Sequence, residues 1–202
     1  MGRATLILGG IRSGKSAFAE KLAGERRGPT LYLATGRPVD SEMEERIRRH
    51  RENRPATWRT LEAPLDLAGP LRQALAAEDA LSVILVDSLD GWVSNLLLKH
   101  EDDPAPTLEA LALFHIQRLT ELMEESQAEF FLVSSEVGFS LVSPNALGRR
   151  FQDLLGLVNQ AVAAAADTVY LVTAGLPILL KGSVNGPVKG PVIEPETGPD
   201  FS

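Results

Sequence analysis

Eight residues, Gly9-Gly10-Ile11-Arg12-Ser13-Gly14-Lys15-Ser16, follow directly on the apolar segment Ala4-Thr5-Leu6-Ile7-Leu8. Their spacing fits G-x-x-x-x-G-K-[ST], the phosphate-binding loop, in its strand-to-helix setting. Such a start commits the chain to a strand, a tight glycine turn and a helix whose positive end faces the turn. Glycines let backbone N–H groups wrap a polyphosphate, Lys15 can reach β and γ oxygens, and the Ser16 hydroxyl suits Mg²⁺. These residues predict binding of a nucleoside triphosphate. Arg12 either reaches a phosphate too or stands on the surface, and the sequence allows both.

The remaining chain alternates short apolar runs with longer helical patterns. Strands are predicted over 4–8, 30–34, 57–61, 82–86, 129–134 and 168–173, with a further short run at Pro177–Lys181. Helices are predicted over 16–25, 41–53, 65–77, 89–99, 108–126 and 146–165. This order predicts an α/β fold with a mostly parallel central sheet flanked by helices. A length of 202 residues suits one domain, placed at 1–181, followed by a Gly/Pro-rich and flexible tail over 182–202. The charged, proline-bearing stretch Glu101–Pro106 reads as an exposed connection.

Composition narrows the function. The absence of cysteine excludes disulfides, thiolate metal sites and a cysteine nucleophile, and agrees with a cytoplasmic address. Apolar runs fall short of the roughly 18 residues that a membrane helix needs. A net charge of −7 argues against nucleic-acid binding. Within this acidic chain, six arginines lie between Arg46 and Arg59 (Arg46, Arg48, Arg49, Arg51, Arg54, Arg59) against the single acid Glu52. Such a patch suits a small polyphosphate.

Three further groups of residues bear chemistry. Ser82-Val83-Ile84-Leu85-Val86-Asp87 is an apolar strand ending in a carboxylate, so Asp87 is the expected partner of Ser16 at Mg²⁺. Ser41-x-x-Glu44 resembles a capping box opening a helix in which Met43, Ile47 and His50 share a face. A lone histidine there is ordinarily structural, but the guanidinium neighbours of His50 disfavour its protonation and offer forks for phosphate oxygens. A neutral imidazole among such groups is equipped to attack phosphorus. Glu62 and Glu136 end predicted strands, the edge at which open α/β sheets bind ligands. By contrast, His100 and His115 show no metal-ligand spacing, and Trp92, Val93, Leu96 and Leu97 are spaced for a packed helix face.

The motifs together resemble one family. Besides residues 9–16, they are Leu31-Tyr32-Leu33-Ala34-Thr35, Asp40-x-Glu42-Met43-x-x-Arg46-Ile47-x-x-His50, Arg54-Pro55-x-x-Trp58-x-Thr60-x-Glu62, and Val86-Asp87-Ser88 with Trp92-x-Ser94-Asn95-Leu96-Leu97. Glu136-Val137-Gly138, Pro144-x-x-x-Leu147-Gly148-Arg149-Arg150-Phe151-x-Asp153 and Asn159-Gln160 continue the pattern. The chain resembles the bifunctional adenosylcobinamide kinases/adenosylcobinamide-phosphate guanylyltransferases of cobalamin biosynthesis. The pattern is departed from at Asp90-Gly91, and at Ser135, which stands where asparagine usually precedes the glutamate.

The resemblance implies a RecA-like P-loop domain, a homotrimer, and two reactions using ATP or GTP with Mg²⁺. The first phosphorylates adenosylcobinamide; the second transfers GMP from GTP to adenosylcobinamide phosphate through a guanylyl-histidine, which His50 matches, and releases pyrophosphate. Catalytic roles then fall to His50 and Lys15. GTP contacts map to Gly9, Gly10, Ile11, Arg12, Ser13, Gly14, Lys15, Ser16, Ala34, Thr35, Gly36, Arg51, Glu52, Asn53, Arg54, Glu62 and Asp87, and metal contacts to Ser16 and Asp87. From the residues alone, two other readings stand beside this one: a P-loop kinase of another small molecule, and a RecA-like nucleotide-dependent switch or binding module.

Overall fold

The computed structural model describes residues 3–37, 48, 55–77 and 81–183. The helix predicted over 41–53, with His50, Arg51, Glu52, Asn53 and Arg54, lies outside the described residues except for Arg48. Of the tail predicted over 182–202, only Gly182 and Ser183 are described.

Seven strands form one sheet in the order β3-β2-β4-β5-β1-β6-β7. They are β1 Ala4–Gly9, β2 Thr30–Ala34, β3 Arg59–Glu62, β4 Val83–Asp87, β5 Glu129–Ser135, β6 Thr168–Thr173 and β7 Leu176–Lys181. Every pairing is parallel except β6 with β7. The central strands are nearly continuous Val, Ile, Leu and Phe because both of their faces are covered. This is the mostly parallel α/β sheet, flanked by helices, that the alternation predicts.

The two faces are covered unequally. Helix α1 (Lys15–Gly24) packs Ala19 and Ala23 over Ile7, Leu85, Phe131 and Val133. On the other face lie α2 (Ala68–Ala77), α3 (Leu89–Lys99), α4 (Ala105–Glu125) and α5 (Ala146–Ala165), which enclose a core containing Leu6, Ile84, Val86, Phe130 and Leu132. Trp92, Val93, Leu96 and Leu97 of α3 are buried in that core, as their spacing predicts. Along α1 the cover is incomplete. A cavity of about 600 Å³ runs beside it, lined by Phe18, Arg26, Phe131 and Tyr170 among others.

Two helix starts and the terminal run differ from the sequence expectation, each for a local reason. Helix α2 begins at Ala68, not residue 65: the Asp66 carboxylate accepts from Gly69 N at 3.1 Å, and the Leu65 carbonyl accepts from Trp92 Nε1 at 2.8 Å. Helix α4 begins at Ala105, inside the stretch expected to be a connection, because Pro106 falls in the first turn, where its missing N–H costs nothing. The terminal run is a strand, β7, folded back through Ala174 (φ 49°) and Gly175 (φ 79°). Two successive positive φ values are what a two-residue hairpin turn between twisted strands requires.

Candidate active site

The C-terminal ends of β1, β2, β3 and β4 meet at one edge of the sheet. Ala34 pairs with both Glu62 and Asp87, so three predicted site residues stand side by side. Gly9 pairs with Ser135 and Val172 on the neighbouring strands, which delivers the loop beside them. In this way the sheet gathers residues that are more than fifty positions apart in the chain.

The loop itself is a braced turn. Arg12 (φ 56°) and Gly14 (φ 95°) both adopt left-handed backbone, and Ser13 N donates to Gly10 O at 3.3 Å. Gly9 is required by space: a Cβ there would lie 2.6 Å from Val172 O. Two contacts from distant strands support the turn. Glu136 N donates to Gly9 O at 3.1 Å, and Gly175 N, in the β6–β7 turn, donates to Ser13 O at 2.8 Å. The side chains of Ile11 and Arg12 are exposed. The Ser13 hydroxyl is buried and has no partner among the described residues. Lys15 Nζ folds back over the loop to Gly10 O at 3.3 Å.

Opposite the loop, Asp87 is held from two sides. Ser16 Oγ donates to its Oδ1 at 3.4 Å and Tyr32 OH to its Oδ2 at 2.7 Å. A hydroxyl and a carboxylate at this separation, beside a loop of backbone donors, form the hard-oxygen donor set that suits Mg²⁺. In the sequence Tyr32 stands out only as part of the motif Leu31–Thr35, with no role assigned; the β2–β4 pairing brings its hydroxyl within reach of Asp87, two positions along from its partner Leu85.

Thr35 has a different place from the other predicted contacts. It is fully buried, and its Oγ1 donates to Ser88 O at 2.6 Å and accepts from Ser88 N at 3.0 Å. Asn95 Nδ2 then ties the Thr35 carbonyl at 2.7 Å and Pro64 O at 3.1 Å. Thr35 therefore braces the backbone behind Asp87, while its neighbours differ: Ala34 is half-buried against the cluster under α1 and Gly36 is exposed. The two departures from the family pattern meet here as well. Asp90 Oδ1 accepts from Ser135 N at 3.1 Å, and a Cβ on Gly91 would sit 3.0 Å from Thr35 Oγ1.

The predicted bystanders stay outside this edge. His100 Nδ1 lies 2.8 Å from Asp103 Oδ2. His115 packs edge-on to Trp92, and burial lowers its pKa. Among the described residues there is no cluster of three or more histidines and acids that could hold a metal. No helix among them is long and apolar enough to cross a membrane.

Residues 5–180 match the model of the family described as cobinamide kinase / cobinamide phosphate guanyltransferase. The chain belongs to this family. The bifunctional adenosylcobalamin biosynthesis protein CobP of Pseudomonas aeruginosa is 45% identical over 88% of this chain and 96% of its own length. The CobU proteins of Salmonella typhimurium and Escherichia coli, also described as bifunctional adenosylcobalamin biosynthesis proteins, are 41% and 36% identical over 87% of this chain and 98% of theirs. A Pyrococcus horikoshii structure, Project ID PH0250, aligns with a TM-score of 0.51 at 9% identity over 98% of this chain and 94% of its own, a likeness of fold alone. At the sheet edge of this family member, the glycine loop lies beside Ser16 and Asp87, whose side chains are 3.4 Å apart.

Proposed function

We infer that this chain phosphorylates adenosylcobinamide and then transfers GMP from GTP to adenosylcobinamide phosphate, giving adenosyl-GDP-cobinamide and pyrophosphate. The carrying observation is the meeting of Lys15, Ser16 and Asp87 at one sheet edge in a chain that matches the family over residues 5–180. ATP or GTP serves the first step and GTP the second. The loop 9–16 and Lys15 hold the polyphosphate and the departing pyrophosphate. Ser16 and Asp87 would hold Mg²⁺, which when bound neutralises charge on the phosphate oxygens. Ala34, Gly36 and Glu62 flank the nucleotide, and Thr35 keeps Asp87 in place.

His50 is the nucleophile of the second reaction. Its neutral imidazole attacks the α-phosphorus of GTP, the bond to the bridging oxygen breaks, and pyrophosphate leaves with the electron pair. The phosphate of the acceptor then attacks the guanylyl-histidine and frees the imidazole. Arg51, Glu52, Asn53 and Arg54 complete the nucleotide contacts. The proposal extends to a cytoplasmic homotrimer, on the family resemblance.

The test is incubation of the protein and a His50→Ala variant with Mg²⁺ and GTP labelled at the α-phosphate, followed by denaturation. The expected result is acid-labile, alkali-stable covalent label on the wild type only. A wild type that binds GTP and stays unlabelled would leave a plain kinase or a nucleotide switch as the better reading.

A further inference from the structure

Three family motifs are not used by the nucleotide edge: Glu136-Val137-Gly138, the Pro144–Asp153 stretch and Asn159-Gln160. In the fold they come together. A second cavity, of about 500 Å³, lies between the β5–α5 connection and α5, and its lining includes Leu8, Glu136, Arg149, Asp153 and Gln160. It adjoins the phosphate-binding loop, since Leu8 directly precedes Gly9 and Glu136 N donates to the Gly9 carbonyl at 3.1 Å.

The connection over 136–145 packs Val137 against the core but presents three other apolar residues outward. Phe139 is 85% exposed, Leu141 94% and Val142 76%. The exposure is built in, because the backbone of this segment is tied down. Gln152 Oε1 accepts from Ser143 N at 3.0 Å, and Gln152 Nε2 donates to Ser140 Oγ at 2.9 Å and Leu141 O at 3.3 Å. Arg149 Nη1 donates to Ser143 O at 3.0 Å and Pro144 O at 2.9 Å. A segment clamped by polar groups while three large apolar side chains point to solvent is a docking surface, because contiguous apolar exposure is otherwise unfavourable. Ile11, 83% exposed at the tip of the phosphate-binding loop, adds to the apolar surface at this end of the sheet.

We propose that this tip and the groove behind it dock the corrinoid ring of the acceptor, resting on the functional reading above. The occupant follows from the chemistry. A corrinoid is a broad apolar macrocycle edged with carboxamides, and it must bring one side arm to the loop at Gly9. Phe139, Leu141 and Val142 supply an apolar platform for the ring. Asp153 and Gln160, exposed and without side-chain partners among the described residues, supply an acceptor and a mixed donor–acceptor for carboxamides. The groove is too small for the whole molecule, so it takes the ring edge and the side arm while the ring lies across the tip.

The test uses the full chain with Mg²⁺ and two half-reactions. Guanylylation of the enzyme by GTP needs no corrinoid; transfer to adenosylcobinamide phosphate does. The double variant Phe139→Ser/Leu141→Ser should form the guanylyl-enzyme at the wild-type rate while its KM for adenosylcobinamide phosphate rises about tenfold or more, the loss expected when apolar contact area of this size is removed. Leu141→Met should restore most of the affinity when compared with Leu141→Ser. Variant KM values within twofold of wild type would overturn the docking surface, as would a fall in oligomeric size with both half-reactions lost, which would make the tip an interface between copies. A wild type that forms the guanylyl-enzyme but transfers nothing to the corrinoid would overturn the functional reading, and the docking surface with it.

Discussion

The two faces of the sheet divide the work of the molecule. One carries four helices over a thick core that runs from Leu6 and Phe130 out to Leu119 and Val158. The other carries, among the described residues, α1 and a smaller cluster built on Ala19 and Ala23. Small side chains let α1 lie close to the strands, which fixes the loop at its N-terminus, but they leave the cavity along its flank. The thick face supplies stability and the thin face presents the chemistry. The two are connected through the backbone at Asp87–Ser88, where Thr35 and Asn95 tie the segment that carries Asp87 to α3.

Adjacent residues of β5 give the sharpest way to break this comparison. Phe130 and Phe131 are both fully buried, on opposite faces. Phe130→Ala should cost about 4–5 kcal/mol, near the top of the range for such truncations, because the thick core cannot collapse around the void. Phe131→Ala should cost about 3 kcal/mol, since its site already borders a cavity that water can enter. Denaturant unfolding of the two variants checks this, and equal costs would deny the asymmetry.

Next in size is Lys15→Ala, which should lower kcat for nucleotide-dependent transfer by about 10²–10³. Its thermal midpoint should stay near the wild-type value, because the side chain's one bond among the described residues is the 3.3 Å contact to Gly10 O. A large loss of stability would show that the thin face is structural after all.

Tyr32→Phe probes the connection between the faces. Loss of the 2.7 Å bond to Asp87 should cost about 1 kcal/mol of stability and raise several-fold the Mg²⁺ concentration needed for activity. A magnesium titration beside an unfolding curve separates the two effects.

The smallest effect concerns His115, on α4 of the thick face. Burial lowers its pKa from the ordinary histidine value, opposed by Asp66 and reinforced by Arg118, His100 and Lys99. The unfolded chain therefore binds the proton more readily. Stability from this group is fully present above about pH 6.5 and declines as pH falls toward the lowered folded-state value. His115→Phe, which keeps a ring against Trp92, should flatten that part of the stability–pH curve.

The order of strands and helices was legible in the sequence because buried parallel strands are short apolar runs and their covering helices are long and periodic. The phosphate-binding loop was legible because its function resides in contiguous residues of few permitted types. Asp87 could be named because a strand-end carboxylate beside such a loop has an expected partner, and Ser16 Oγ lies 3.4 Å from it. What the sequence could not carry was everything that depends on register between strands. Tyr32 became a partner of Asp87, Thr35 a buried brace, and Gly175 a support for Ser13 only when parallel pairing set residues many positions apart at hydrogen-bond distance. The same holds for the groove beside α5, whose motifs are separated in the chain and meet where β5 turns into α5. Local chemistry is written in short windows of sequence; the positions of those windows relative to one another are decided by the hydrogen-bond register and packing of the whole sheet.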